Sequence, residues 1–209
     1  MRVLVLADDY WHPARVPQEG LAPLSAHGYE FDWIADANDW TPSRMTGYPL
    51  VVLSKSNNVT ATDQTPWMTD EVQSAFARYV QSGHGLLVLH SGSAGYQQCA
   101  ELRRLMGGVF IQHPPQCPVN WVPHTGHRLT AGVGEFIMQD EHYFMTLDAT
   151  DAEVFMVSKS EHGEQPAGWT RAEGEGRVCM LTPGHNLDVW LHPTYQQLIH
   201  NALLWCAHS

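Results

Sequence analysis

Gly83-His84-Gly85-Leu86-Leu87-Val88-Leu89-His90-Ser91-Gly92-Ser93 is the stretch on which the architecture of this chain turns. From Gly85 to Leu89 it is apolar without alternation, and it stops abruptly in small polar residues. An uninterrupted apolar run bounded by turn residues reads as a strand covered on both faces, the usual state of a parallel strand flanked by helices. Both neighbours agree. Upstream, Val72, Phe76, Tyr79 and Val80 make one apolar stripe at helical spacing. Thr65 is placed to cap that helix, Pro66 to open it and Gly83 to end it. Downstream, Cys99, Leu102, Leu105 and Met106 form a second helical face, closed by Gly107-Gly108.

Toward the N-terminus, Val3 to Leu6, Tyr29 to Ile34 and Leu50 to Leu53 read as three more strands. Pro17 to His27 reads as a helix disturbed by Pro23 and stopped by Gly28. The order β-α-β-β-α-β-α predicts an α/β fold with a doubly wound, mainly parallel sheet. From about 109 to 172 the texture changes: short strand-like pieces at Val119 to Val122, Phe136 to Met138 and Glu153 to Val157 alternate with Pro, Gly and His. The expectation there is a loop- and strand-rich insertion. Val178 to Leu181 then returns to the buried-strand type, and Tyr195, Leu198, Ile199, Ala202, Leu203 and Cys206 line the face of a last helix. Without repeats, low-complexity tracts or a dividing linker, residues 1–209 read as a single domain.

Apolar residues at 44% and charged residues at 16% exclude a disordered chain. Eleven Lys and Arg against 22 Asp and Glu give a net charge of −11, with no basic run, so neither nucleic acid nor an anionic membrane surface is an expected partner. No segment reaches the ~20 apolar residues of a membrane helix. The opening apolar run meets Asp8 and Asp9 too soon for a secretory leader. Cys99, Cys117, Cys179 and Cys206 lack C-x-x-C spacing, and three of them fall inside apolar segments that suit reduced, buried thiols, which makes the cytoplasm the expected compartment. A homo-oligomer is compatible with the sequence, which fixes no oligomeric state.

Ligands of open α/β sheets bind beyond the carboxyl ends of the strands. That rule collects Asp8, Asp9 and His12 after the first strand, Ser54 and Asn57 after the third, and His90, Ser91 and Ser93 after the fourth. Gly184-His185-Asn186 follow the late strand. Of 13 histidines, His27, His84, His162, His200 and His208 read as surface or helix residues. None of the remainder has H-x-x-x-H spacing, so a metal site needs ligands from separate loops. The elbow lacks the first Gly of G-x-S-x-G, which leaves Ser91 and Ser93 as hydrogen-bonding rather than nucleophilic residues. In Asp140-Glu141-His142-Tyr143, strand alternation would put Asp140 and His142 on one side and Glu141 and Tyr143 on the other.

The run Gly83 to Ser91 resembles the trehalose-utilisation (ThuA-like) family. So do Gly107-Gly108-Val109-Phe110 with His113-Pro114, Asp140 to Tyr143, Gly174 to Arg177 followed by Leu181 to His185, and the closing Ala202-Leu203-Leu204-Trp205. The resemblance spans nearly the whole chain and implies the flavodoxin-like fold of class I glutamine amidotransferases. Amidotransferases carry Cys at the elbow and His after a late strand. Here His90 stands at the elbow and His185 at the late position, so glutamine hydrolysis by a thiol is not expected. The family's association with disaccharide breakdown, beside dehydrogenases that make 3-keto glycosides, implies an enzyme acting on a glycoside or keto-sugar. Cleavage or isomerisation would use His90, Glu141 and His185 as acid/base groups. Asp8, His12, Asn57, Ser91, His113, Asp140, Tyr143 and Asn186 are the expected substrate contacts, the partner a small sugar or glycoside, and a divalent metal ion the one candidate cofactor. Trp11, Trp40, Trp67, Trp121 and Trp169 lie in or beside polar loops, where flat rings can cover sugar faces, although at least three of them are expected to be partly core. The alternative is a non-catalytic sugar-binding or regulatory protein on the same scaffold.

Overall fold

The structure, a computed structural model, describes residues 1–207; His208 lies outside them. The first half alternates β1 (Arg2–Ala7), α1 (Arg15–Leu21), β2 (Glu30–Ile34), α2 (Pro42–Met45), β3 (Leu50–Ser54), α3 (Asp70–Gln81), β4 (Gly85–Leu89) and α4 (Ala100–Met106). Six strands follow without an intervening α-helix: β5 (Gly108–Gln112), β6 (Cys117–Pro123), β7 (Phe136–Asp140), β8 (Phe144–Leu147), β9 (Glu153–Ser160) and β10 (Gly163–Glu173). Then come β11 (Gly176–Leu181), α5 (Leu187–Trp190) and α6 (Pro193–Cys206).

Among the described residues, nine strands form one sheet in the order β2-β1-β3-β4-β11-β10-β9-β6-β7. The pairs from β2 to β11 are parallel, the flavodoxin-like order with its switch point between β1 and β3. From β11 onward every pair is antiparallel, so the insertion continues the sheet rather than hanging from it. Only β5 and β8 stand apart, as a two-stranded ribbon.

The apolar runs sort by alternation onto the two faces. Val3, Val5, Leu50, Val52, Leu87, Leu89, Cys179 and Leu181 pack with the Leu198, Ile199, Ala202 and Leu203 face of α6. Leu4, Leu6, Val51, Leu53, Leu86, Val88, Val178 and Met180 pack with Phe76 and Val80 of α3 and with Leu102, Leu105 and Met106 of α4. Each such side chain contributes ~1.5–3 kcal/mol of burial, which is why continuous apolar runs mark the central strands.

Two expectations are corrected. The helix expected from Thr65-Pro66 begins at Asp70, with Thr69 as its cap. The side-chain oxygen of Asn57 accepts the N–H groups of both Trp67 and Met68, each at 3.0 Å, and holds that segment out of the helix. His84, expected at the surface, is half-buried and stacked on Tyr79 with ring centroids 4.3 Å apart.

The turn after β4 is forced by close packing. His90 takes a left-handed φ of 44°, and Ser93 Oγ donates to the His90 carbonyl at 2.8 Å. A Cβ on Gly92 would sit 1.9 Å from the Leu53 carbonyl oxygen, a backbone atom that cannot swing away. Gly92→Ala is therefore expected to lower stability by ~1–3 kcal/mol, as overpacking does, and to displace the elbow. Denaturant unfolding should show a lower midpoint with an unchanged slope.

Candidate functional site

The carboxyl ends of β1, β3, β4 and β11 meet at a cavity of about 520 Å³. Glu141, in the link between β7 and β8, reaches over this edge, and four imidazoles face its carboxylate. Oε1 lies 3.1 Å from His185 Nδ1 and 3.4 Å from His113 Nε2. Oε2 lies 3.4 Å from His90 Nε2 and 4.0 Å from His12 Nε2. The rings of His12, His90 and His185 are mutually edge-on, with centroids 5.0 to 5.8 Å apart.

Each ligand-type atom is aimed by a partner behind it. His90 Nδ1 donates to the Thr182 carbonyl at 2.8 Å, which leaves the Nε2 lone pair toward the cavity. His12 Nδ1 bonds Asp9 Oδ1 at 2.8 Å and likewise presents Nε2. Asp9 itself is buried and fixed: Oδ1 accepts from the N–H groups of Trp11 and His12, and Oδ2 from that of Ser56. Asp140 does the same for the late loop, accepting from the N–H groups of Gly184 at 2.9 Å, His185 at 3.0 Å and Asn186 at 3.3 Å.

Three buried nitrogens in this arrangement, His12 Nε2, His90 Nε2 and His185 Nδ1, have no hydrogen-bond partner. With a Glu141 oxygen they lie within 4.8 Å of one another. Three inward lone-pair nitrogens and one carboxylate, backed by a carboxylate–imidazole bond and a carbonyl–imidazole bond, match the donor set of a first-row divalent ion. Without such an ion the charges are held by protons. Burial opposes charge on His12, but the bond to Asp9 and the nearby Glu141 carboxylate outweigh it and push His12 up to about 9. Burial likewise raises Glu141, yet His12, His185 and His90 together hold it far below the usual carboxylate range. Asp9 is drawn down to about 2, against its own burial, by His12 and the N–H groups it accepts. Fully buried His90 is pushed down, chiefly by desolvation and further by the charge of His12.

The expected residues divide into two groups. His12, Asn57, His113, Glu141, Tyr143 and His185 line the cavity, and His90 closes it from beneath, stacked on Tyr143 at 4.1 Å. Alternation along Asp140-Glu141-His142-Tyr143 holds: Glu141 and Tyr143 face the cavity, while His142 is tied to Ser158 and Ser160 of β9. Asp8, Ser91, Asp140 and Asn186 are not on the cavity wall. Asp8, at a left-handed φ of 85°, accepts from Ala14 N–H. Ser91 is buried in the elbow, and Asn186 donates to Gln116 and to the Gln139 carbonyl. These residues shape the loops that carry the site. Asp9 and Phe110 belong to the arrangement and were not singled out as contacts. The left-handed Asp8 turns the chain so that Asp9, not Asp8, faces His12, a reversal no side-chain pattern encodes.

The elbow position holds His90, and Cys99, Cys117, Cys179 and Cys206 are all free and buried elsewhere, so no thiol stands where an amidotransferase nucleophile would. Among the described residues, no helix is long and apolar enough to cross a membrane.

Solved structures with this fold include a ThuA-like protein of Parabacteroides merdae, at TM-score 0.79 and 17% identity over 99% of this chain and 90% of that one. A cytoplasmic protein of Salmonella typhimurium LT2 superposes with TM-score 0.68 and 15% identity, covering 100% and 98% of the two chains. A β-galactosidase of Rahnella sp. R3 contains the same fold as part of a larger chain, at TM-score 0.67 and 14% identity over 97% of this chain and 30% of that one. At these identities the likeness is one of fold. No curated protein sequence matches the chain. The family model described as ThuA, trehalose utilisation, matches residues 2–206, nearly the whole sequence and every strand end that reaches the cavity. The chain belongs to the ThuA family.

Proposed function

We propose that this protein is an enzyme that cleaves or isomerises a keto-sugar or glycoside, with a divalent metal ion held by His12 Nε2, His90 Nε2, His185 Nδ1 and Glu141. The observation that carries the reading is the convergence of three buried, unpartnered imidazole nitrogens on one carboxylate. A buried polar atom without a hydrogen bond is costly. Glu141 offsets part of that cost by its charge at 3.1 to 4.0 Å, and an ion that takes the three lone pairs, once His12 has released its proton, would satisfy all three nitrogens together.

The bound ion would polarise a sugar carbonyl and acidify the adjacent C–H. Glu141, His12, His90 and His185 then act as holders rather than as the proton carriers expected of His90, Glu141 and His185. The imidazole outside that set is His113: its Nδ1 donates to the Pro114 carbonyl at 2.7 Å, and its Nε2 opens to the cavity beside Glu141. His113 is placed to take the proton from carbon. In cleavage, the electron pair left there expels the glycosidic oxygen on the next carbon, which leaves as an alcohol on taking the proton back from His113. In isomerisation, His113 returns the proton to the former carbonyl carbon while the neighbouring hydroxyl proton passes to the former carbonyl oxygen, so that the carbonyl moves by one carbon. The sugar reading draws on the family description together with a cavity that combines flat apolar walls and fixed amides.

The test is a chelation and reloading experiment on the purified protein, with oxidised and unoxidised disaccharides followed by mass spectrometry. Turnover should vanish with chelator and return with zinc or manganese. Because His12 sits at about 9, it is charged at pH 7 and must lose its proton to bind metal. Loading in weak buffer should therefore release about one proton per chain at pH 7, and the release should fade as pH rises through about 9. Turnover that survives chelation, or metal uptake with no proton release at pH 7, contradicts the reading.

A further inference from the structure

Trp11 is the most exposed large apolar side chain among the described residues, at 67%, and it lies on the wall of the cavity. Of the five tryptophans whose sequence positions suggested sugar contact, Trp40, Trp67, Trp121 and Trp169 are buried in the core. Trp11 alone of these is free to meet a ligand. Its backbone is not loose: Trp11 N–H and His12 N–H both donate to Asp9 Oδ1, and Asp9 N–H donates to the His12 carbonyl at 3.1 Å. Tyr10 props the indole edge-on, with ring centroids 4.6 Å apart at 84°. A rigid turn thus holds one flat aromatic face at the cavity rim, a single residue from a nitrogen of the proposed metal site.

The wall beside it comprises Pro66, Ala94 and Gly95 with the amides of Asn57 and Asn58. Asn57 is locked by the Trp67 and Met68 N–H groups, and Asn58 by Ser56 Oγ and the Gln64 carbonyl. No Lys or Arg lines the cavity. The nearby Lys55 is buried, with its ammonium engaged by the Asp8 and Ala35 carbonyls. A phosphorylated sugar calls for guanidinium or ammonium donors at its phosphate. This wall offers none, and Asp9 and Glu141 are negative behind it.

We infer that Trp11 is the platform of a second subsite and selects for the substrate ring beyond the reacting one. The reacting ring faces His113 and Glu141, and the outer ring lies on the indole beside Pro66. The inference rests on the sugar reading above and adds to it the residue that holds the outer ring. A pyranose presents C–H groups on its face and hydroxyls on its rim, which suits an aromatic plane bordered by the Asn58 amide, engaged only once at its oxygen and once at its nitrogen. Asn57 is spent on the Trp67 and Met68 N–H groups, the Gly95 carbonyl and Cys99 Sγ. Covering the exposed part of an indole at ~25 cal/mol per Å² supports a loss of roughly 10-fold or more in affinity when the ring is removed.

The test is calorimetric titration of the protein as purified with trehalose, maltose, cellobiose, glucose and trehalose 6-phosphate, alongside metal analysis of the same samples. The wild type should bind at least one of the neutral disaccharides ~10-fold or more tightly than glucose, and more tightly than the phosphorylated sugar. Trp11→Ala should erase the advantage over glucose with metal content unchanged, and Trp11→Phe should keep part of it. Equal disaccharide binding by wild type and Trp11→Ala, tighter binding of the 6-phosphate, or no binding of any disaccharide by the wild type overturns the subsite. Trp11-dependent binding in a protein that takes up no metal would uphold the subsite and remove the metal reading instead.

Discussion

Glu141→Gln is expected to lower turnover by ~10²–10⁴ and metal affinity by at least ~100-fold, at or beyond the upper end of losses from changing a residue behind a metal ligand. The substitution keeps the side-chain volume and removes the one negative charge that faces His12, His90, His113 and His185. The neutral amide is a weak donor to a divalent ion, and its NH₂ group would point at nitrogens that themselves need a proton or a metal. The metal-free protein should lose some stability, because His12, His185 and His90 hold the Glu141 carboxylate far below its usual range, but it should still fold. Glu141 lies on a cavity wall rather than in a core, and His12 keeps its bond to Asp9 when Glu141 is neutral. Metal analysis and a turnover assay on the same preparation check both parts. A variant that loses turnover but binds metal as tightly as the wild type would return Glu141 to the role of a base.

Asp140→Ala should have the largest effect on stability. Its carboxylate is fully buried and accepts three backbone N–H groups from Gly184, His185 and Asn186. Truncation leaves those donors unsatisfied in a dry environment, at ~1–3 kcal/mol each when nothing replaces the acceptor. Partial rearrangement makes a net loss of ~3 kcal/mol or more the expected result. Asp140→Asn retains one carbonyl oxygen and should lose roughly half as much. Because the same bonds place the His185 backbone, metal affinity should fall in the same order. Urea unfolding of the metal-free proteins separates the stability effect from the loss of ligand.

The parallel half of the fold was legible because its strands are buried on both faces, so that Val3 to Leu6, Leu50 to Leu53, Leu86 to Leu89 and Val178 to Leu181 are continuous apolar runs. The antiparallel half was legible only in part. β10 runs from Gly163 to Glu173 through Gln165, Pro166 and Gly168, with register shifts at Pro166–Gly168 and Gly168–Trp169. Its pairing is supplied by β9 and β11 on either side, not by any pattern of its own. β5 and β8 are similar: short segments recognisable only through each other.

At the site, the strand-end rule found the right chain segments but not always the right residue. It gathered His12, His90 and His185 from three strand ends, and alternation separated Glu141 and Tyr143 from Asp140 and His142 without saying which pair faces the cavity. It could not distinguish a side chain that faces the ligand from one that satisfies a neighbouring loop. Asp8 and Asp140 are polar strand-end residues like the others, and their oxygens go to backbone N–H groups whose need for acceptors appears only once the loops are folded. Of the five tryptophans, at least three were expected to be partly core; four, Trp40, Trp67, Trp121 and Trp169, are buried, and the sequence did not tell which one would stay exposed.

The proposed joining of His12, His90, His185 and Glu141 by one divalent ion can be seen by anomalous X-ray scattering at the zinc absorption edge, from crystals of the zinc-loaded protein. A single strong peak is expected between the three imidazoles, with zinc–nitrogen distances of ~2.0–2.1 Å and a Glu141 oxygen at ~2.0–2.2 Å. A difference map without a peak there in zinc-saturated crystals, or a peak bound to other residues with these three nitrogens left free, would contradict it.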